Sequence, residues 1–307
     1  MPEPANQPRR VRSAKRVIPS QRGIAMIALI TLLTLISAFY IARGLSRTSN
    51  EVTQERYRRS NDALLEAKAA LIAWAAAGAY QNSSVSFQPG GFPCPDTNDD
   101  GYAEGSCASA STRIGRLPWR TIGAGDLRDA SGARLWYALS NNFRKLACTS
   151  ISPNLPANCT VINFDTAGTL TITGSSSASN VIAIVFAPGQ ALGTQDRDPN
   201  NSTQWNSVSN FLDLANAGTN DDLFEMRSPP NDVDSTGSVV FNDRLVAITA
   251  SDLWPAVEGV VAAKLRENDG AGGKPWVAAY IEQYRTTWAR YPFAASFDPG
   301  ASTFKGV

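Results

Sequence analysis

From Ile24 to Ala42 the chain carries no charged residue and is almost entirely apolar. Without an intervening proline it passes into a second stretch in which Val52, Tyr57, Ala63, Leu64, Ala67, Leu71, Ile72 and Ala75 recur at helical spacing. The pattern predicts one long helix from Gly23 to about Ala77. At 1.5 Å per residue, roughly 50 residues make a rod of about 75 Å. Its first half has about the length needed to cross a hydrocarbon layer, roughly 20 residues. Its second half has a polar and an apolar face, and the apolar face of residues 63–75 needs a protein partner. An alternative has two helices separated by a kink between Gly44 and Asn50, where glycine and polar residues gather.

Past the helix the periodicity changes. A Ser-, Asn-, Gln- and Gly-rich connection from Gly78 to Gly91 ends the helix. Ala133–Leu139 reads as a short helix or strand. Thr160–Phe164, Leu170–Thr173 and Val181–Phe186 are strand candidates rich in Thr, Val and Ile, as are Ser238–Phe241 and Leu245–Thr249. A polar stretch from Pro188 to Asn231 separates the two groups. Ser251 is suited to cap a helix from Asp252 to Arg266, and Pro275 to begin another through Arg290. The expected class is α+β: a long N-terminal membrane-anchoring helix packed on a globular head with an antiparallel sheet and C-terminal helices. The head has ample length for a packed core.

Charge adds topology more than binding. The 28 Lys and Arg against 27 Asp and Glu leave no global bias toward nucleic acid, and no nucleic-acid partner is predicted. The concentrated positive charge, Arg9, Arg10, Arg12, Lys15, Arg16 and Arg22, precedes the apolar run, which predicts a cytoplasmic N-terminus and places the rest beyond the inner membrane in a single pass. A secretory signal would have a shorter apolar core and a small-residue cleavage site, so the segment reads as retained. The chain has no histidine, which removes the commonest general base, the usual nucleophile–histidine arrangements and imidazole metal sites. The sequence therefore reads as non-enzymatic. Cys94, Cys107, Cys148 and Cys159 lie after the apolar run, in a compartment that permits oxidation. Their spacing suggests the bridges Cys94–Cys107 and Cys148–Cys159, among three possible connectivities, and not the paired Cys-x-x-Cys of a zinc site.

A short basic leader ending in Arg22-Gly23, followed by the uncharged start Ile-Ala-Met-Ile-Ala-Leu-Ile, resembles the signal of type IV prepilins and type II secretion pseudopilins. The resemblance implies cleavage by a prepilin peptidase between Gly23 and Ile24, with methylation of the new N-terminus. It divides the chain into a leader (1–23), the transmembrane half of the helix (24–45), its soluble half (46–78) and a periplasmic head (79–307). The chain departs from the major-pilin pattern at the fifth mature residue, usually glutamate and here Ala28. In that family the glutamate is thought to pair with a neighbouring subunit's N-terminal amine, so Ala28 implies a place at the end of an assembly. Further along, Phe92–Asp96, Gly115–Arg120, Asp126–Asp129, Leu135–Ala138 and Asn242–Thr249 are similar to a group of prepilin-like proteins of uncertain role. The implied function is a minor pilin or pseudopilin that assembles into, initiates or caps a filament, with other pilin subunits and inner-membrane lipid as partners. The competing function is a signal-anchored periplasmic module, calcium-dependent or glycan-binding, that does not polymerise.

Four local patterns set candidate chemistry against a structural role. Asp96, Asn98, Asp100, Tyr102 and Glu104, with Gly101 at the sixth position, follow the alternating-oxygen pattern of a calcium loop. The twelfth position, where a closing glutamate belongs, is Cys107; the competing reading is a turn-rich loop pinned by Cys94 and Cys107. Arg116, Trp119 and Arg120 suit either a glycan- or anion-binding surface or a buried packing element. Asp126, Arg128 and Asp129 read as an ion-pair turn, and Asp196, Asp198, Asp221, Asp222 and Glu225 as solvated acids.

Overall fold

Strands that alternate their side chains between two faces, both covered, organise the head. The computed structural model describes residues 22–81, 89–144, 162–218, 222–229, 231–267, 282 and 285–287, and within the first helix the side chains of 26–41, 43 and 51–77. The described elements are α1 (Arg22–Gln81), β1 (Ile114–Arg116), β2 (Trp136–Leu139), β3 (Leu170–Gly174), β4 (Ala178–Val181), β5 (Ala183–Ala187), α2 (Ser202–Trp205), β6 (Leu223–Met226), β7 (Arg244–Ile248) and α3 (Ala250–Arg266). The chain divides into two units, Met1–Glu55 and Arg56–Val307.

In the second unit a four-stranded antiparallel sheet runs β1-β2-β5-β7. Every residue of β2 and β5 is buried. On one face Tyr137, Leu139, Ala183, Val185 and Ala187 meet Ala63, Leu64, Ala67, Leu71 and Ala75 of α1 together with Leu253, Trp254 and Val257 of α3. On the other face Trp136, Ala138, Ile184 and Phe186 meet Leu170, Ile172, Val181, Phe211 and Phe224. The period of two thus feeds two cores from one sheet. The second core is closed by a three-stranded sheet, β4-β3-β6, in which β3 pairs with β4 antiparallel and with β6 parallel. The small alanines of α1 let the helix approach the sheet closely, and Lys68 fixes its position. The Lys68 ammonium donates to the Ala247 carbonyl at 2.9 Å and pairs with Asp252 at 2.8 Å.

In the first unit the large hydrophobics from Met26 to Ile41 face outward, from 44% exposed at Ile36 to 70% at Tyr40. The polar side chains among them turn inward: Thr31, Thr34 and Ser37 each donate a hydroxyl to a carbonyl three or four residues back. Among the described residues no helix is long and apolar enough to cross a membrane. The full run from Ile24 to Ala42 includes residues whose side chains lie outside that description.

Several expectations shift. Helix α1 follows the single-helix reading and not the kinked alternative, passing through Gly44–Asn50 without a break and ending at Gln81 instead of about Ala77. Val181–Phe186 is two strands of different sheets, parted at Ile182. Of Ala133–Leu139, only Trp136–Leu139 forms a strand, β2, and Arg134 makes an isolated bridge with Arg128. Ser238–Phe241 contributes only an isolated bridge, Val233 with Val239, and Asn163–Thr166 is a turn. The sheet system is mixed, since β3 and β6 run parallel. Helix α3 begins at Ala250, one residue before the expected Ser251 cap. Asp252 accepts from both the amide (2.8 Å) and hydroxyl (2.8 Å) of Thr249, which stabilises that start. The bridge proposed between Cys148 and Cys159 lies outside the described residues, as does most of the helix expected from Pro275; Glu282 and Arg285–Thr287 are helical.

Candidate functional site

The 94–107 loop begins at the disulfide Cys94–Cys107, whose Cα atoms are 5.6 Å apart. Asp96 is 1% exposed and organises the turn. One carboxylate oxygen accepts from the amides of Asn98 (3.0 Å) and Asp99 (2.6 Å), and the other from Gly101 (2.7 Å). Burial pushes the Asp96 carboxyl up, against those three amides, which favour its charged form. Asn98 accepts from the Asp100 amide at 3.0 Å, Asp100 from the Tyr102 amide at 2.7 Å, and Glu104 from the Thr97 hydroxyl at 2.8 Å. The loop is therefore a chain of Asx turns. Among the described residues no group of three or more His, Cys, Asp or Glu side chains is placed to hold a metal ion. Gly101 has a φ of +84°, and a Cβ there would lie 2.6 Å from the Trp119 indole nitrogen, so the loop closes onto the Trp119 ring only because this residue is glycine.

The turn also delivers Asp99, with a φ of +69°, to the centre of the head. Its carboxylate pairs with Arg134 at 2.6 Å and with Arg116 Nε at 3.2 Å, and accepts from the Trp205 indole at 2.7 Å. Arg116 is buried, with its guanidinium 5.1 Å from the ring centres of Trp136 and Trp205 and 5.0 Å from that of Phe211. It donates to Asn206 Oδ1 at 2.8 Å and to the Trp205 carbonyl. Desolvation lowers its pKa, and the charges of Asp99 and Asp96 oppose that. Of the two sequence readings for Arg116, the geometry is the packing one: it pins the disulfide loop, β1 and the 205–211 segment together.

Trp119 and Arg120 flank that pin, with the Arg134 guanidinium that holds Asp99 lying 5.9 Å from the Trp119 ring. The Arg120 guanidinium is exposed and stacks 4.8 Å from Trp119 and 5.4 Å from Tyr102. Arg128 and Arg134 clasp Asp126 at 2.7 and 2.8 Å. Burial alone would push the Asp126 carboxyl up, but the hydrogen bonds and charges of Arg134 and Arg128 outweigh it and hold the group below its usual range. Asp129 does not join this ion-pair turn. It accepts from the amides of Ser131 (2.8 Å), Ala133 (3.0 Å) and Gly189 (2.7 Å), tying the β-turn to the 189 loop. The acids of the polar stretch are engaged: Asp222 pairs with Arg113, 109 residues away, at 2.9 Å, Glu225 with Arg227 at 2.8 Å, and Asp196 and Asp198 accept from amides two residues on. Asp221 lies outside the described residues.

The residues with the most perturbed surroundings were not marked by the sequence as a site. Arg134 lies in the stretch read as a short helix or strand and Asp243 in the Asn242–Thr249 motif, while Trp205, Arg197 and Asp213 carry no periodic signal; folding gathers Arg134 and Trp205 at Asp99, and Arg197, Asp213 and Asp243 in a separate cluster. No family model, no curated protein and no solved structure matches this chain.

Proposed function

We propose that the chain is a minor pilin or pseudopilin: a non-enzymatic subunit anchored in the inner membrane by the first part of α1, with its α+β head in the periplasm. One observation carries the reading. A single helix has large apolar side chains exposed from Met26 to Ile41 and a one-sided apolar face, Ala63 to Ala75, buried on the head. The inward hydroxyls of Thr31, Thr34 and Ser37 further support it, because they leave the exposed surface of that run apolar. Lipid shields such a surface before assembly, and neighbouring helices shield it in a filament, so extraction and polymerisation exchange one apolar surrounding for another. Ala28, exposed where a charge would fix register with a neighbour, favours initiation or a terminal position over the shaft.

The test is intact-mass analysis of the membrane-extracted protein, expressed with and without a prepilin peptidase. A mature chain starting at Ile24 only when the peptidase is present is the expected result. An uncut Met1 start in both overturns the proposal and leaves the signal-anchored module.

A further inference from the structure

A second buried acid cluster lies away from the disulfide loop, where three segments meet. Asp213 and Asp243 are 4% and 3% exposed. Each carboxylate holds the other's segment: Asp243 Oδ2 accepts from the Asp213 amide at 2.8 Å, and Asp213 Oδ2 accepts from the Asn242 amide at 2.7 Å. Asn216 Nδ2 donates to the same Asp243 oxygen at 3.0 Å, and Gln195 Nε2 donates to Asp213 Oδ1 at 2.9 Å. The clasp therefore binds the 195 turn, the 213–216 turn and the approach to β7. Its remaining oxygen, Asp243 Oδ1, is buried and has no hydrogen-bond partner.

The nearby charges do not neutralise two carboxylates. Arg197 is the cation that faces both, but it spends its donors on the carbonyls of Asn210 (2.7 Å), Gly189 (2.7 Å) and Phe211 (3.2 Å) and on Gln195 Oε1 (2.9 Å). Asp129 also interacts with the Arg197 charge. Arg244 is directed to the Tyr57 ring at 4.2 Å, and Glu225 and Arg227 of the β6 edge pair with each other. Two buried carboxylates face one engaged guanidinium, and a proton on one of them removes the uncompensated charge while the hydrogen bonds to Asp243 Oδ2 stay in place.

We propose that Asp213 and Asp243 together hold one proton, carried on Asp243, and that this proton locks the three-segment clasp. Burial and the neighbouring Asp213 charge both push the Asp243 carboxyl well up from its ordinary value. The sign follows. The folded state keeps a proton that the unfolded chain releases near pH 4, so the contribution is full below that value and is lost as pH rises toward the folded pKa. Within the window, loss of one proton on unfolding raises the unfolding equilibrium constant about tenfold per pH unit.

The experiment uses the full chain in detergent, with 13C-labelled aspartate carboxyls followed by NMR from pH 3 to 9, and urea unfolding of wild type and Asp243→Asn over the same range. One aspartate titrating well above pH 5, absent from D243N, is the expected spectrum. The expected unfolding result is that D243N gains on wild type as pH rises, because the amide cannot ionise. Titration of every aspartate at or below pH 4.5 overturns the proposal, and does so without a folded variant. Stabilisation of wild type by millimolar calcium, reversed by a chelator and lost in D243N, also overturns it, since a cation and not a proton would then fill the orphan oxygen.

Discussion

Replacing Arg116 by alanine tests whether the buried cation is a structural pin. The side chains of Arg116 and Asp99 are 2% and 14% exposed, so the pair is barely screened by solvent. Truncation removes the guanidinium from three ring faces, leaves Asn206 Oδ1 and the Trp205 carbonyl without their donor, and opens a gap between β1 and the 205–211 segment. Breaking a buried pair costs about 3–5 kcal/mol. Asp99 keeps Arg134 and the Trp205 indole, which limits the loss to the lower part of that range, about 3 kcal/mol. For a domain of this size that lowers Tm by roughly 6–12 °C. Arg116→Met separates charge from volume. It refills most of the slot with an apolar chain, and its cost is expected to be under about 2 kcal/mol. Urea unfolding of the full chain in detergent, followed by tryptophan fluorescence, reads both variants. Trp136 and Trp205 flank the guanidinium, so their emission also reports the local change. A loss below about 1 kcal/mol in R116A, with unfolding otherwise normal, would refute the pin.

Two further outcomes follow from the same packing. Leu71→Ala deletes a fully buried side chain at the helix–sheet contact and is expected to cost about 2–5 kcal/mol in urea unfolding; a loss under about 1 kcal/mol would mean that α1 does not depend on that contact. For Asp252, burial raises the carboxyl, but Lys68 and the Thr249 amide and hydroxyl outweigh it and leave the group depressed. Its contribution is present above the unfolded pKa and is lost as pH falls through the folded one, so Asp252→Asn is expected to cost about 1 kcal/mol at pH 7 and progressively less as pH falls below the ordinary aspartate range. A difference that stays constant across that range would show that the charge is not the cause.

The sequence by itself determined what depends on neighbours along the chain. The period near 3.6 fixed the helix, whose buried face runs from Ala63 to Ala75 while Val52 and Tyr57 of the same pattern stay exposed, and the run from Ile24 to Ala42 fixed an apolar segment. Short-range turn chemistry was legible as well: Asp96 to Gly101 forms its Asx turns from residues two to five apart, and Cys94 and Cys107 close around them. The split of Val181–Phe186 was not legible, because an apolar run buried on both faces shows no alternation. Only the assembled sheets decide where it breaks.

The tertiary structure also decided the roles of the charged residues. Arg116 beside Trp119 and Arg120 reads locally as one basic-aromatic surface, yet β1 turns Arg116 into the core while Arg120 stays in solvent. Asp99, Arg134 and Trp205 are 35 to 106 residues apart and meet through backbone pairing that no local pattern encodes. Asp213 and Asp243, 30 residues apart, look like ordinary solvated acids until folding removes their water. Hydrophobic periodicity is a one-dimensional signal, because each residue's face is set by the residues beside it. Burial of a charge is three-dimensional: it depends on which distant groups arrive to replace the solvent.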